Sequence, residues 1–80
     1  METTVTLVGQ DPGPRNLVNE IEQLDAVEQA DLRQGTGEGE WELRIRGQDW
    51  LGLEEERLAE DYLADLAIRH QTRVRAIRFV

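Results

Sequence analysis

The segment GQDPGPR, residues 9–15, holds the side chains best suited to binding a small ligand. Pro14 suits the first turn of a helix, where its missing N–H leaves no hydrogen bond unmade. Backbone N–H groups, the positive end of the helix dipole and the Arg15 guanidinium could together hold a small anion. Asp-Pro-Gly is also a frequent turn sequence, so a simple turn stays open as the alternative. The residues predicted to form this ligand-binding loop are Gly9, Gln10, Asp11, Gly13 and Arg15.

The sequence contains few residues that are arranged to act as nucleophiles, general bases or metal ligands. The chain has no serine and no cysteine, and a threonine nucleophile would need a suitably tuned base beside it. The single histidine, His70, falls near the end of a predicted helix, where capping or solvation explains it. The glutamates at 54–56 point to different sides of one helical turn, and no EF-hand or His/Cys spacing is present. We therefore predict no enzymatic activity, no catalytic residue, no cofactor and no metal site.

The length and composition indicate one domain spanning residues 1–80. With 39% hydrophobic residues, the chain should fold, but a domain of this size has room for only one thin core. No apolar run approaches the roughly 18 residues of a membrane span, and the N-terminal residues lack a signal-peptide pattern. We expect a cytoplasmic protein without direct membrane insertion, and the absence of cysteine suits a reducing compartment.

The charge of the chain is strongly acidic and unevenly distributed. Seventeen acidic residues against nine arginines give a formal net charge of −8, and there is no lysine. Residues 66–80, in contrast, contain four arginines and no acid. An acidic surface repels phosphate backbones, so we expect no nucleic-acid partner. Solubility explains the acidity, and the alternative is an acidic face that mimics nucleic acid and binds a basic partner.

Hydrophobic periodicity predicts six secondary-structure elements. The strict alternation in WELRIR is typical of a half-buried strand, and the apolar stripe at Leu17, Val18, Ile21 and Leu24 is typical of a helix. Asp49 is the predicted N-cap of the second helix, which should end near Arg69. The other predicted elements are a first helix at residues 14–25 and strands at residues 3–8, 27–34, 41–46 and 72–80. The expected core is Leu17, Ile21, Leu24, Leu43, Ile45, Leu58, Tyr62, Leu63 and Leu66.

The element order β-α-β-β-α-β predicts an α+β fold of the ferredoxin-like class. Right-handed crossovers place both helices on one side of a four-stranded antiparallel sheet, with expected strand order 4-1-3-2. The other face of the sheet is left open. Trp41 should lie on the core face, and RNA binding by such a sheet needs exposed aromatic residues, so RNA recognition is disfavoured.

The open face of the sheet is the predicted interface. We expect Ile77 and Phe79 of the last strand to lie there beside the first strand, because uncovered apolar side chains on a small domain often mark a contact site. A second copy or another protein chain is the expected partner, and a two-fold contact needs only one self-complementary patch. The predicted interface consists of Thr4, Thr6, Val8, Arg44, Arg73, Arg75, Ile77 and Phe79.

The loop Asp11-Pro12-Gly13, between the first strand and the first helix, resembles the D-x-P-G-like loop of ACT-type regulatory domains. Related ACT-like domains occur as cytosolic tails of bacterial membrane proteins, including the MgtC family. The resemblance implies a non-catalytic regulatory or assembly module that binds a small ligand or a partner chain. The loop ending in Arg15 is also superficially similar to that of acylphosphatases. However, the V-Q-G-V-G-F-R run is absent and WELRIR supplies no Asn, so a hydrolase is the weaker alternative.

Overall fold

The computed structural model describes residues 2–25, 27–47 and 56–79, with side chains from residue 60 onward in the second helix. The elements follow the predicted order, which confirms the β-α-β-β-α-β pattern. The predicted cap Asp49, the glutamates at 54 and 55, the side chain of Leu58 and Val80 lie outside the described residues. The elements are β1 (Glu2–Gly9), α1 (Gly13–Glu22), β2 (Gln29–Gln34), β3 (Glu40–Arg46), α2 (Glu56–Arg69) and β4 (Thr72–Phe79).

The four strands form one antiparallel sheet in the order β2-β3-β1-β4. This is the predicted order 4-1-3-2, named from the opposite edge, and the ferredoxin-like α+β class is confirmed. β1 pairs with both β3 and β4, so β1 and β3 are the central strands. α1 packs on β1 and β2, and α2 packs on β4.

The core lies between the helices and one face of the sheet. In β1 the side chains of Thr3, Val5 and Leu7 are fully buried, whereas alternate residues face away from the helices. The predicted core is confirmed at six positions, but Tyr62 is 39% exposed and Leu24 is half-buried. Tyr62 lies on the flank of α2, and Leu24 follows the end of α1. The confirmed core residues are Leu17, Ile21, Leu43, Ile45, Leu63 and Leu66.

The predicted facing of β4 is correct up to Arg75 and wrong from Ala76 onward. Val74 lies opposite Leu7, but Ala76 lies opposite Thr6, so Arg75 is an extra residue on β4. A bulge of this kind inserts one residue into a strand and resets the alternation of its side chains. Ile77 therefore lies on the core side opposite Val5, where it packs against the core.

The same reset moves the last residues of the strand. Phe79 lies opposite the buried Thr3, also on the core side. Ala76 and Arg78 take the positions on the open face that the sequence had assigned to Ile77 and Phe79.

Candidate functional site

The arginine of the predicted ligand loop already has an anionic partner. Arg15 Nε donates a hydrogen bond of 2.8 Å to Asp11 Oδ1, one helical turn earlier. Its guanidinium also lies 5.7 Å from the centre of the Trp41 ring. Both charged side chains are largely exposed, so the pair itself contributes little stability. Its chemical effect is to place a carboxylate where an incoming anion would have to bind.

The glycines of this loop are explained by close packing against the turn between α2 and β4. A Cβ on Gly13 would overlap the carbonyl oxygen of His70 and would lie 2.9 Å from Thr72 Oγ1. A Cβ on Gly9 would lie 3.0 Å from the same hydroxyl. The Gly9 carbonyl also accepts a 2.9 Å hydrogen bond from Trp41 Nε1. Asp11-Pro12-Gly13 is therefore a turn whose glycine is required for close packing against the turn between α2 and β4.

A cleft of about 700 Å³ opens between this loop and the hairpin that joins β2 to β3. The described residues that line it include three carboxylates, from Asp11, Glu38 and Glu40, and none of these lining residues is an arginine. Gly9 and Gln10 also line it, whereas Gly13 and Arg15 do not. The predicted ligand residues are thus divided between the cleft and the start of α1. Ligand binding at this loop stays a prediction, and the local charge opposes an anion.

The open face of the sheet is a groove with short side chains along its floor. The outward residues of β1 are Thr4, Thr6 and Val8, and the register places Ala76 beside Thr6. A shallow depression of about 330 Å³ lies over this floor. Longer side chains of β3 and β4 border it on both sides.

Arginines border the groove on the β4 side. The register places Arg78 beside Thr4 and Arg73 beside Val8. Arg75, at the bulge, makes an ion pair of 3.1 Å with Glu40 Oε2. Because β1 lies between β3 and β4, this ion pair crosses β1 on the open face.

Charges of opposite sign are neighbours on the β3 side. Arg44 pairs with Glu42 at 3.4 Å and faces Asp31 of β2 across the sheet. Such cross-strand neighbours of opposite charge stabilise a sheet modestly. Six of the nine arginines lie on this face with four carboxylates, which gives +2, while the other side chains that the structure describes carry −7. The six are Arg33, Arg44, Arg46, Arg73, Arg75 and Arg78.

The predicted interface residues are only partly brought together. The structure places Thr4, Thr6, Val8, Arg44 and Arg73 on the open face, with Arg75 reaching over it. It places Ile77 and Phe79 on the opposite side. Sequence reasoning missed Ala76 and Arg78, because nothing in the pattern TRVRAIRFV marks Arg75 as a bulge. Whether this face is an interface stays a prediction.

The outer surface of α2 carries an exposed apolar residue that was not among the residues predicted from the sequence. Ile68 is 67% exposed, and it shares one side of the helix with Asp61 and Asp65 at spacings of four and three residues. Asp61 and Asp65 are four residues apart, so Ile68 could have been found by extending the side of the helix that they share by one turn.

The single histidine joins the two helices. His70 Nε2 lies 2.5 Å from Glu20 Oε2, so a residue that follows α2 contacts the last turn of α1. His70 is half-buried, and its backbone also forms the close approach at Gly13. Within residues 2–25, 27–47 and 56–79, no group of three or more His, Asp or Glu side chains could hold a metal ion.

No family model matches the chain, and a search of curated proteins also finds no match. Among the helices described, neither is long and apolar enough to cross a membrane.

Proposed function

We propose that this chain is a cytoplasmic, non-catalytic binding module that receives an acidic protein segment on the open face of its sheet. One observation carries the proposal: six of nine arginines lie on a single sheet face that no described element covers, over a floor of short side chains. Charge complementarity of this kind gives an interface its specificity and its rate of association. The short floor allows close approach of a partner backbone or helix.

A binding function suits the chemistry of the described residues better than a hydrolytic one. His70 is engaged by Glu20, and Arg15 is engaged by Asp11 in the loop that resembles the acylphosphatase loop. We further propose that the module is related to ACT-like regulatory domains. This relationship is supported by the topology and by the position of Asp11-Pro12-Gly13 between β1 and α1.

The acidic-mimic alternative is favoured by a separate observation. The helix side of the molecule carries exposed carboxylates at Glu22, Glu60, Asp61 and Asp65. A basic partner would bind there rather than on the sheet. The proposed function therefore predicts an acidic partner on the sheet face, whereas the mimic function predicts a basic partner on the helix side.

An NMR titration with two synthetic peptides separates these functions. One peptide is an amphipathic helix whose polar side is glutamate, and the other has lysine at every glutamate position. We expect the acidic peptide to shift the amide signals of Thr4, Thr6 and Ala76, with binding that weakens as salt is added. Arg78→Glu should weaken it at least threefold. The matched control Arg69→Glu, on α2, makes the same charge change away from the groove and should leave the affinity unchanged.

Two outcomes would overturn the proposal. Shifts caused only by the basic peptide, at Asp61 and Asp65, would establish the mimic function. The absence of saturable shifts with either peptide would show that the open face is not a surface for acidic segments.

A further inference from the structure

We infer that the acidic segment bound by the open face is helix α2 of a second copy, so that copies associate head to tail. This inference rests on the proposed function and names its partner. It joins two uncovered features of the same chain, the groove over β1 and the exposed stripe of α2.

The stripe on α2 has the chemistry that the groove needs. Ile68 is the most exposed large apolar residue within the described part of the chain, at 67%. Asp65 and Asp61 lie one and two turns before it on the same side of the helix, so an apolar side chain is accompanied by two carboxylates. Tyr62, at the flank of this stripe, adds further exposed apolar surface.

The groove offers the complementary groups. Its floor of Thr4, Thr6 and Ala76 leaves a depression into which a side chain such as Ile68 can insert. Arg78 borders this depression, and Arg73 lies farther along β4 beside Val8. Neither arginine has an ion-pair partner among the side chains that the structure describes. Two guanidinium groups are thus available for two carboxylates of an incoming helix.

Charge favours contact between unlike surfaces over contact between like ones. The sheet face carries +2 and the other described side chains carry −7, so a sheet face attracts the acidic surface of another copy. A two-fold contact between sheet faces would instead oppose two surfaces of the same sign. Because the two surfaces differ, the contact is heterologous and leaves one free surface at each end of an assembly.

A mixing experiment with two one-sided variants tests this arrangement. Ile68→Arg blocks the helix surface, and the double substitution Ala76→Glu with Arg78→Glu blocks the sheet surface. All three positions are exposed, and circular dichroism and amide spectra would establish that both variants fold. In sedimentation velocity, we expect the parent to form a concentration-dependent series of oligomers and each variant alone to be monomeric. An equimolar mixture should form a dimer of one molecule of each variant and nothing larger.

The matched control is Gln23→Arg, which makes the same charge change as Ile68→Arg at an exposed position after α1. It should associate like the parent. If Ile68→Arg also associates like the parent while only the sheet variant is monomeric, the contact is a two-fold contact between sheet faces and the inference is wrong. A parent that stays monomeric at about 1 mM would also overturn it. The peptide titration would still decide the proposed function in either case.

Discussion

At the scale of single residues, two backbone positions are explained by their surroundings and not by ligand chemistry. Gly13 begins α1 directly against the His70 carbonyl, and Gln71 takes the left-handed conformation, with φ of 53°, between α2 and β4. Both positions therefore lie where the start of α1 packs against the turn between α2 and β4.

Gly13→Ala should lower the free energy of unfolding by about 1–3 kcal/mol, because the added methyl overlaps backbone that cannot move alone. Chemical denaturation would measure the change. Gly37→Ala is the control, since its methyl would meet only the end of the Glu40 side chain, at 3.1 Å. Equal effects of the two substitutions would show that close approach at Gly13 is not what requires glycine.

Gln71→Gly should raise the free energy of unfolding by about 0.5–1 kcal/mol. Glycine adopts a positive φ without the steric cost that an L side chain meets there, and it is the usual residue after a helix. Thermal unfolding of Gln71→Gly beside Gln71→Ala isolates this effect, because alanine removes the side chain but keeps the steric cost. A stabilisation shared by both variants would contradict the explanation.

At the scale of elements, the bulge at Arg75 decides which surface each half of β4 serves. It turns Ile77 and Phe79 toward the helices and gives the open face to Ala76 and Arg78. A partner of the open face would therefore contact arginines and short side chains instead of exposed apolar residues.

Ile77→Asp should destabilise the fold by about 2–4 kcal/mol, since it places a carboxylate among core side chains. Ala76→Asp, one residue earlier and on the open face, should change the stability by less than about 1 kcal/mol. Urea titrations of the two variants compare the faces directly. If Ile77→Asp were as stable as the parent and Ala76→Asp were not, the bulge would be placed wrongly.

The contact between His70 and Glu20 connects the end of α2 to α1. We expect His70→Ala and Glu20→Ala each to lower the free energy of unfolding by about 1 kcal/mol. Because both remove the same interaction, the double variant should lose about as much as either single one. Fully additive losses in denaturation experiments would mean that the two side chains do not interact in solution.

At the scale of the whole molecule, charge is segregated between two sides. The sheet face carries a small positive charge on a chain of net charge −8. Of the thirteen described carboxylates, nine lie away from this face, on the two helices and in the connecting loops. Salt should therefore affect every association of this protein.

The whole molecule should also be inactive toward acyl phosphates. Arg15 is paired with Asp11, and the chain has no serine or cysteine to act as a nucleophile. Acetyl phosphate incubated with the protein should decay at the rate seen in buffer, as measured by loss of the substrate. Hydrolysis above that rate, abolished by Arg15→Ala, would establish the hydrolase alternative.

The sequence by itself determined the order of the elements and most of the core. The alternation of Trp41, Leu43 and Ile45 and the stripe on α1 are local patterns, and each records which side of one element is buried. With six such elements in this order, the handedness of the crossovers leaves few arrangements of the sheet. The strand order followed from those rules alone.

Only the tertiary structure decided the facing of β4 and the partners of the loop residues. A bulge depends on how one strand meets its neighbour, so the alternation of β4 could not reveal it. The close approach of Gly13 to His70 joins segments that are far apart in the chain, and so does the contact between His70 and Glu20. The exposure of Ile68 likewise depends on how α2 rotates against the sheet. Local periodicity records burial along one element, whereas these features depend on contacts between elements.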